Sequence, residues 1–118
     1  MKLTIKEQER LMMFTLAEMS RRRWKRGWKL NYIEAMAIIC DELLERAREG
    51  KSNIYDLVEL GSKIITEEDV MEGTPSLMPI IMLEVMFPDG NKLVTVQDPV
   101  RLEKREVAVP MDELLTMN

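Results

Sequence analysis

At 118 residues the chain has room for one core and is too short for two ordinary domains. With 46% hydrophobic and 32% charged residues it has the balance of a folded chain, not of a disordered one. A formal net charge of −4 argues against a whole-chain binder of phosphate backbone; the absence of histidine removes the usual general base, the Ser–His and Cys–His nucleophile pairs and imidazole metal ligation.

The opening Met1-Lys2-Leu3-Thr4-Ile5-Lys6-Glu7 contains no apolar h-region of a secretory signal. A first helix is expected from about Ile5 to Lys25, with Met12, Leu16 and Met19 on one face, Leu11 and Met13 beside them, and Gly27 ending the pattern. A second helix opens at Asn31, an N-cap with Glu34 three residues on as in a capping box. Tyr32, Met36, Ile39, Leu43 and Ala47 form its apolar stripe, and Gly50 follows Arg46 and Arg48 at its C-terminus. Asn53 to Leu60 fits a short third helix ending at Gly61. Thr66 caps an acidic turn, Glu67-Glu68-Asp69, which Gly73 stops, and Pro75 and Pro79 mark an extended crossing.

The last third is different in character. Ile80 to Phe87 is rich in β-formers, Pro88-Asp89-Gly90 is a turn of type I composition, and Asn91 to Val96 supplies a second strand, closed by Asp98-Pro99. The expected fold class is α+β, a small bundle of three to four helices with a C-terminal β-hairpin. A lone hairpin is marginal in water, so it must lie on the helices or on another chain. In the segment from Arg101 to Asn118, Met111 to Leu115 fits one helical turn after Pro110; pattern alone assigns that segment no role. The longest nearly apolar stretch, Leu77 to Leu83, is broken by Pro79 and too short to span a bilayer. Together with a single cysteine, Cys40, these features lead to the expectation of a reducing, cytoplasmic setting without a membrane anchor.

Four constellations could carry chemistry. Arg21-Arg22-Arg23-Trp24-Lys25-Arg26-Gly27-Trp28-Lys29 combines cations and indoles, as a nucleic-acid patch does. A helix C-terminus also favours cations, and the acidic remainder of the chain opposes the nucleic-acid alternative. Cys40 lies mid-helix beside the apolar stripe, with no cation or helix N-terminus to activate it, so a buried structural thiol is expected. Glu67, Glu68, Asp69 and Glu72 lack the alternation and glycine of a calcium loop, and capping and solvation account for them. The methionines, eleven in all and including Met12, Met13, Met19, Met78, Met82, Met111 and Met117, suit irregular cores and adaptable interfaces. A small interior leaves some of them for a partner.

Several segments together resemble the urease gamma family. They are Met1-Lys2-Leu3-Thr4, Lys29-Leu30-Asn31-Tyr32-Ile33-Glu34-Ala35, Ala47-Arg48-Glu49-Gly50-Lys51, Asp69-Val70-Met71-Glu72-Gly73, and Phe87-Pro88-Asp89-Gly90-Asn91-Lys92-Leu93-Val94-Thr95-Val96, with Asp98-Pro99 after them. Their order and spacing over about the first hundred residues make the match specific. The resemblance implies a gamma-like domain over residues 1–100, followed by an extension at 101–118. It implies a non-catalytic, structural subunit of a nickel-dependent urease, which hydrolyses urea to ammonia and carbon dioxide. Alpha and beta subunits are the implied partners, in a trimeric assembly of heterotrimers, with the nickel in the alpha subunit. No catalytic, cofactor-binding or metal-ligating residue is carried onto this chain. The alternative is a helical regulatory or nucleic-acid-binding module using the basic Arg/Trp cluster at residues 21–29, and an enzyme in its own right is disfavoured by the missing histidine.

Overall fold

Thr4 begins the first helix by a reciprocal exchange in the computed structural model, which describes residues 1–115. Its Oγ1 accepts from the Glu7 N–H at 3.1 Å, and Glu7 Oε1 accepts from the Thr4 N–H at 2.8 Å. Helix α1 then runs Ile5–Lys25. The same device starts α2 (Tyr32–Glu49), where Asn31 Oδ1 and Glu34 Oε1 exchange backbone donors at 2.9 and 3.0 Å, and α3 (Ile54–Gly61), where Asn53 and Asp56 do so. Each box satisfies N–H groups that a helix start otherwise leaves orphaned. Gly50 ends α2 at φ +85°, a left-handed conformation that a Cβ would strain.

A 3₁₀ turn (Glu67–Asp69) and a short helix α4 (Thr74–Leu77) lead into the hairpin. Helix α4 corrects the extended crossing expected between Pro75 and Pro79. Proline is accepted in the first turn of a helix, where its missing N–H has no intrahelical partner to lose, so Pro75 starts a turn here rather than breaking one. Strands β1 (Ile80–Phe87) and β2 (Gly90–Gln97) pair antiparallel from Ile80↔Gln97 to Phe87↔Gly90. Period-2 alternation turns Ile81, Val85, Phe87, Val94 and Val96 inward. They meet Ile38, Ile39, Leu43, Leu57, Ile64 and Ile65 in one core. Helix α3 approaches β2 so closely that a Cβ on Gly61 would sit 2.6 Å from Val96 Cγ2. The hairpin thus lies on the helices, as its marginal stability alone requires.

The segment after Val100 is part of the same body. A second 3₁₀ turn (Arg105–Val107) and helix α5 (Met111–Leu115) return along the bundle, and Leu114 is fully buried in the core. Met117 and the end of the 101–118 extension lie outside the described residues.

Helix α1 meets α2 through charge. Arg21, 2% exposed, donates to Asp41 Oδ2 at 2.8 Å and Glu42 Oε1 at 3.1 Å. Arg10 reaches Asp41 Oδ1 at 2.8 Å and Glu45 at 2.6 Å, and Arg23 reaches Glu34 at 2.6 Å. The face expected from Met12, Leu16 and Met19 therefore points elsewhere. Met12 and Met19 are exposed, and Ala17, Ser20, Arg21 and Trp24 take the buried side. Periodicity alone located a helix but not its inward face, which meets α2 through ion pairs with residues far along the chain. The α2 stripe is buried at Ile39, Leu43 and Ala47, with Met36 half-buried and Tyr32 exposed at the entry.

Two buried carboxylates give a test. Asp41→Ala leaves Arg21 without its central counter-charge, and breaking such a buried pair costs about 3–5 kcal/mol, visible as a large drop in the denaturant midpoint. Glu42 gives a test with pH: burial pushes its carboxyl above the ordinary 4.5, against the pull of Arg21 and Arg46. Its contribution is therefore fully present below the ordinary value and is lost as pH rises through the raised one. Glu42→Gln keeps an acceptor for Arg21 and removes that burden. The stability of this variant relative to the parent should improve from acid toward neutral pH, as read from melting midpoints at several pH values.

Candidate interaction surfaces

The Arg/Trp cluster does not form a continuous basic face. Helix α1 turns Arg21 and Trp24 into the protein and leaves Arg22, Lys25 and Arg26 outside. Arg21 and Arg23 are held by α2 carboxylates, and Arg22 lies 3.6 Å from Glu18. Arg26 lies over the Trp28 ring, 5.6 Å from its centroid, and Trp28 is 53% exposed. A phosphate-tracking groove needs uncommitted cations along one line. The arrangement gives the nucleic-acid alternative no support.

Trp24 belongs to a buried junction. Its Nε1–H donates to Asp69 Oδ1 at 3.2 Å. Asp69 Oδ2 accepts from the Thr66 N–H and Oγ1–H, both at 2.8 Å, and from Arg105 Nη1 at 2.9 Å. The Arg105 guanidinium lies 5.2 Å from the Trp24 ring centroid, and donates also to the carbonyl oxygens of Ile64 and Val109. Neighbouring Glu68 Oε1 accepts from the Arg105 N–H at 2.8 Å. Two members of the acidic run thus hold the chain together, while Glu67 and Glu72 stay exposed. Among the described residues no group of three or more His, Cys, Asp or Glu is placed to hold a metal ion. The junction was missed in the sequence because its partners stand 36 to 45 positions apart, as the Arg105–Asp69 and Trp24–Asp69 bonds show. No local pattern joins them.

Cys40 is buried on α2, and burial, with the Asp41 charge beside it, pushes its thiol up to about 11. Nickel, a borderline metal, favours imidazole or thiolate donors. A chain with no histidine and one buried, protonated thiol does not fit a nickel site.

Part of what remains outside is apolar. Leu11 and Phe14 of α1, with Met1 and Leu3, line a groove of about 510 Å³. Met13, Leu44, Leu83 and Met86 line a second, of about 330 Å³, between α1 and the hairpin. On the outer hairpin face Ile80, Met82, Met86 and Leu93 are exposed. Met12, Met19, Met82 and Met86 are therefore surface methionines, whereas Met78 is buried and Met13 half-buried. Contiguous apolar surface of this kind marks contact with other protein.

Three long helices and one hairpin, with apolar side chains left on two faces, define a small α+β subunit-type domain. The family model described as urease, gamma subunit, matches residues 1–100. A urease subunit gamma of Natronomonas pharaonis is 50% identical over 106 residues, 90% of this chain and 96% of its own length. Proteins named urease subunit gamma/beta from Pseudomonas syringae pathovars tomato and syringae are 50% and 49% identical over 109 residues; this chain spans 47% of each. The chain belongs to the urease gamma subunit family. As a member it is a subunit of a hydrolase complex. Among the described residues no helix is long and apolar enough to cross a membrane.

Two measurements follow from these sites. The thiolate is the reactive form of cysteine, so Cys40 should stay unmodified by thiol reagents at about pH 8 in the native protein and react once the protein is unfolded. Asp69→Ala strands the Trp24 indole N–H and the Thr66 N–H and removes the counter-charge of Arg105, which keeps only the Ile64 and Val109 carbonyls. Leaving buried donors unpaired costs about 1–3 kcal/mol each, more when charged, so this variant should lose more stability than Glu67→Ala in guanidinium titrations followed by tryptophan fluorescence.

Proposed function

We propose that this chain is the non-catalytic, structural gamma subunit of a nickel-dependent urease, with the gamma-like domain at residues 1–100 and an extension at 101–118. It supports assembly with the urease alpha and beta subunits, in a trimeric assembly of heterotrimers in the cytoplasm. The complex hydrolyses urea to ammonia and carbon dioxide, and its nickel is held in the alpha subunit. One observation carries the non-catalytic role: among the described residues the buried donor groups are already engaged. Glu34, Asp41, Glu42 and Asp69, the buried carboxylates, are each ion-paired to arginine, and the one thiol is buried and held protonated. Activating water on a metal needs open, fixed ligands. The structural role is supported by the exposed α1 and hairpin faces, which offer a partner apolar area that a small domain does not bury alone.

The test is reconstitution. The purified chain should neither hydrolyse urea nor retain nickel after dialysis against a chelator. With cognate alpha and beta chains it should co-elute as one complex, hydrolyse urea, and carry the nickel on the alpha chain. Urea hydrolysis by this chain alone would overturn the reading.

A further inference from the structure

Residues 101–115 follow the part that the family model matches, yet they are fastened to the domain throughout. The Leu102 carbonyl accepts from the Glu67 N–H at 2.9 Å, and the Val109 N–H donates to the Lys63 carbonyl at 2.9 Å. Between them Arg105 engages Asp69, Glu68 and the Trp24 ring, and Leu114 at the far end is fully buried. A merely trailing end does not make an ion pair, a cation–π contact and a core contact in one short run.

The comparison with the gamma/beta relatives places this segment. Their match covers 109 of 118 residues, so at most 118 − 109 = 9 residues lie outside it and it reaches at least residue 109. Arg105 and Val109 are thus inside the matched region, and rather more than half of each relative lies outside it. In a joined chain, whatever continues past this segment is tethered to its end, at no more than about 3.3–3.6 Å per residue of linker. A docked segment shortens that reach and holds the next domain against the same side of the molecule.

That side offers a contact. A cleft of about 170 Å³ opens between the end of α1 and α5, lined by Trp24, Trp28, Lys29 and Met111 among others. Trp28 stands half out of it, and tryptophan and methionine are over-represented where protein meets protein. We infer, resting on the gamma-subunit reading, that residues 101–115 are a docked strap whose outer side, together with Trp28, seats the urease beta subunit. The α1 groove and the outer hairpin face are left for the remaining subunits.

The experiment uses the complex co-produced from alpha, beta and this chain. Cys40 is buried, so Glu113→Cys, Trp28→Cys and, at the hairpin turn, Asp89→Cys each add a single reactive thiol for a short thiol-to-amine cross-linker. All three positions are exposed, so the domain should tolerate the changes. The Glu113 and Trp28 positions should give adducts with the beta chain in severalfold higher yield than Asp89→Cys. An assembled complex in which they link only to alpha or to a second copy of this chain, or link to beta no better than the hairpin turn does, overturns the strap seat alone. If the unsubstituted chain joins no complex, the gamma-subunit reading fails and the strap seat fails with it.

Discussion

Buried Asp69 ties three separate stretches of the chain together. Its carboxylate takes donors from the end of α1 through Trp24, from its own turn through Thr66, and from the C-terminal segment through Arg105. Its carbonyl receives the Leu30 N–H, and Met71 N–H returns to the Leu30 carbonyl, so the two loops also pair as a short parallel bridge at Leu30↔Val70. A buried carboxylate is tolerable only when its acceptor sites are filled. Here the four filling donors come from three stretches of chain, so satisfying one charge fixes the relative positions of all three. The N-cap of α2, Asn31, one residue past Leu30, inherits its place from that constraint.

The second constraint is the polar seam between α1 and α2. Arg10, Arg21 and Arg23 face Asp41, Glu42, Glu45 and Glu34 where a simple amphipathic helix would put leucines. Arg21 keeps Nε and Nη1 without hydrogen-bond partners among the described residues, with Nη1 4.0 Å from Glu18. Such a seam is a poor source of net stability, since desolvating the charges opposes their attraction, but removing one partner is costly and wrong registers are penalised. Its further effect is on the surface. Because α1 turns arginines inward, Leu11, Met12, Phe14 and Met19 face out. The apolar side of this helix is thereby available to other subunits, which connects an internal electrostatic choice to the assembly role of a urease gamma chain.

The hairpin repeats that division of labour on a sheet. One face of β1 and β2 buries Ile81, Val85, Val94 and Val96 on the helices, and the other presents Ile80, Met82, Met86 and Leu93. Methionine's flexible thioether fits a surface that must adapt to another chain. A domain of this size keeps a large fraction of its area exposed whatever it does, so what is informative is that α1 and one sheet face each carry several exposed apolar residues side by side.

The sequence by itself determined the local structure and the family. The capping box at Asn31, the glycine stop at Gly50 and the Pro88-Asp89-Gly90 turn act over three or four residues, and each stands where its pattern placed it. The segments resembling the urease gamma family were legible for the same reason: they are contiguous strings. The missing histidine and lone cysteine, which bear on the chemistry of the site, were legible as composition. Tertiary structure alone decided which side of α1 is buried, that Arg21 and Trp24 leave the basic run for the interior, that Thr74–Leu77 is helical, and that the C-terminal segment is docked through Arg105. Those outcomes depend on pairings such as Arg21 with Asp41 and Arg105 with Asp69, whose partners are 20 and 36 positions apart. A charge buried by a distant part of the chain obeys the energetics of that encounter, and no periodicity along its own helix records it.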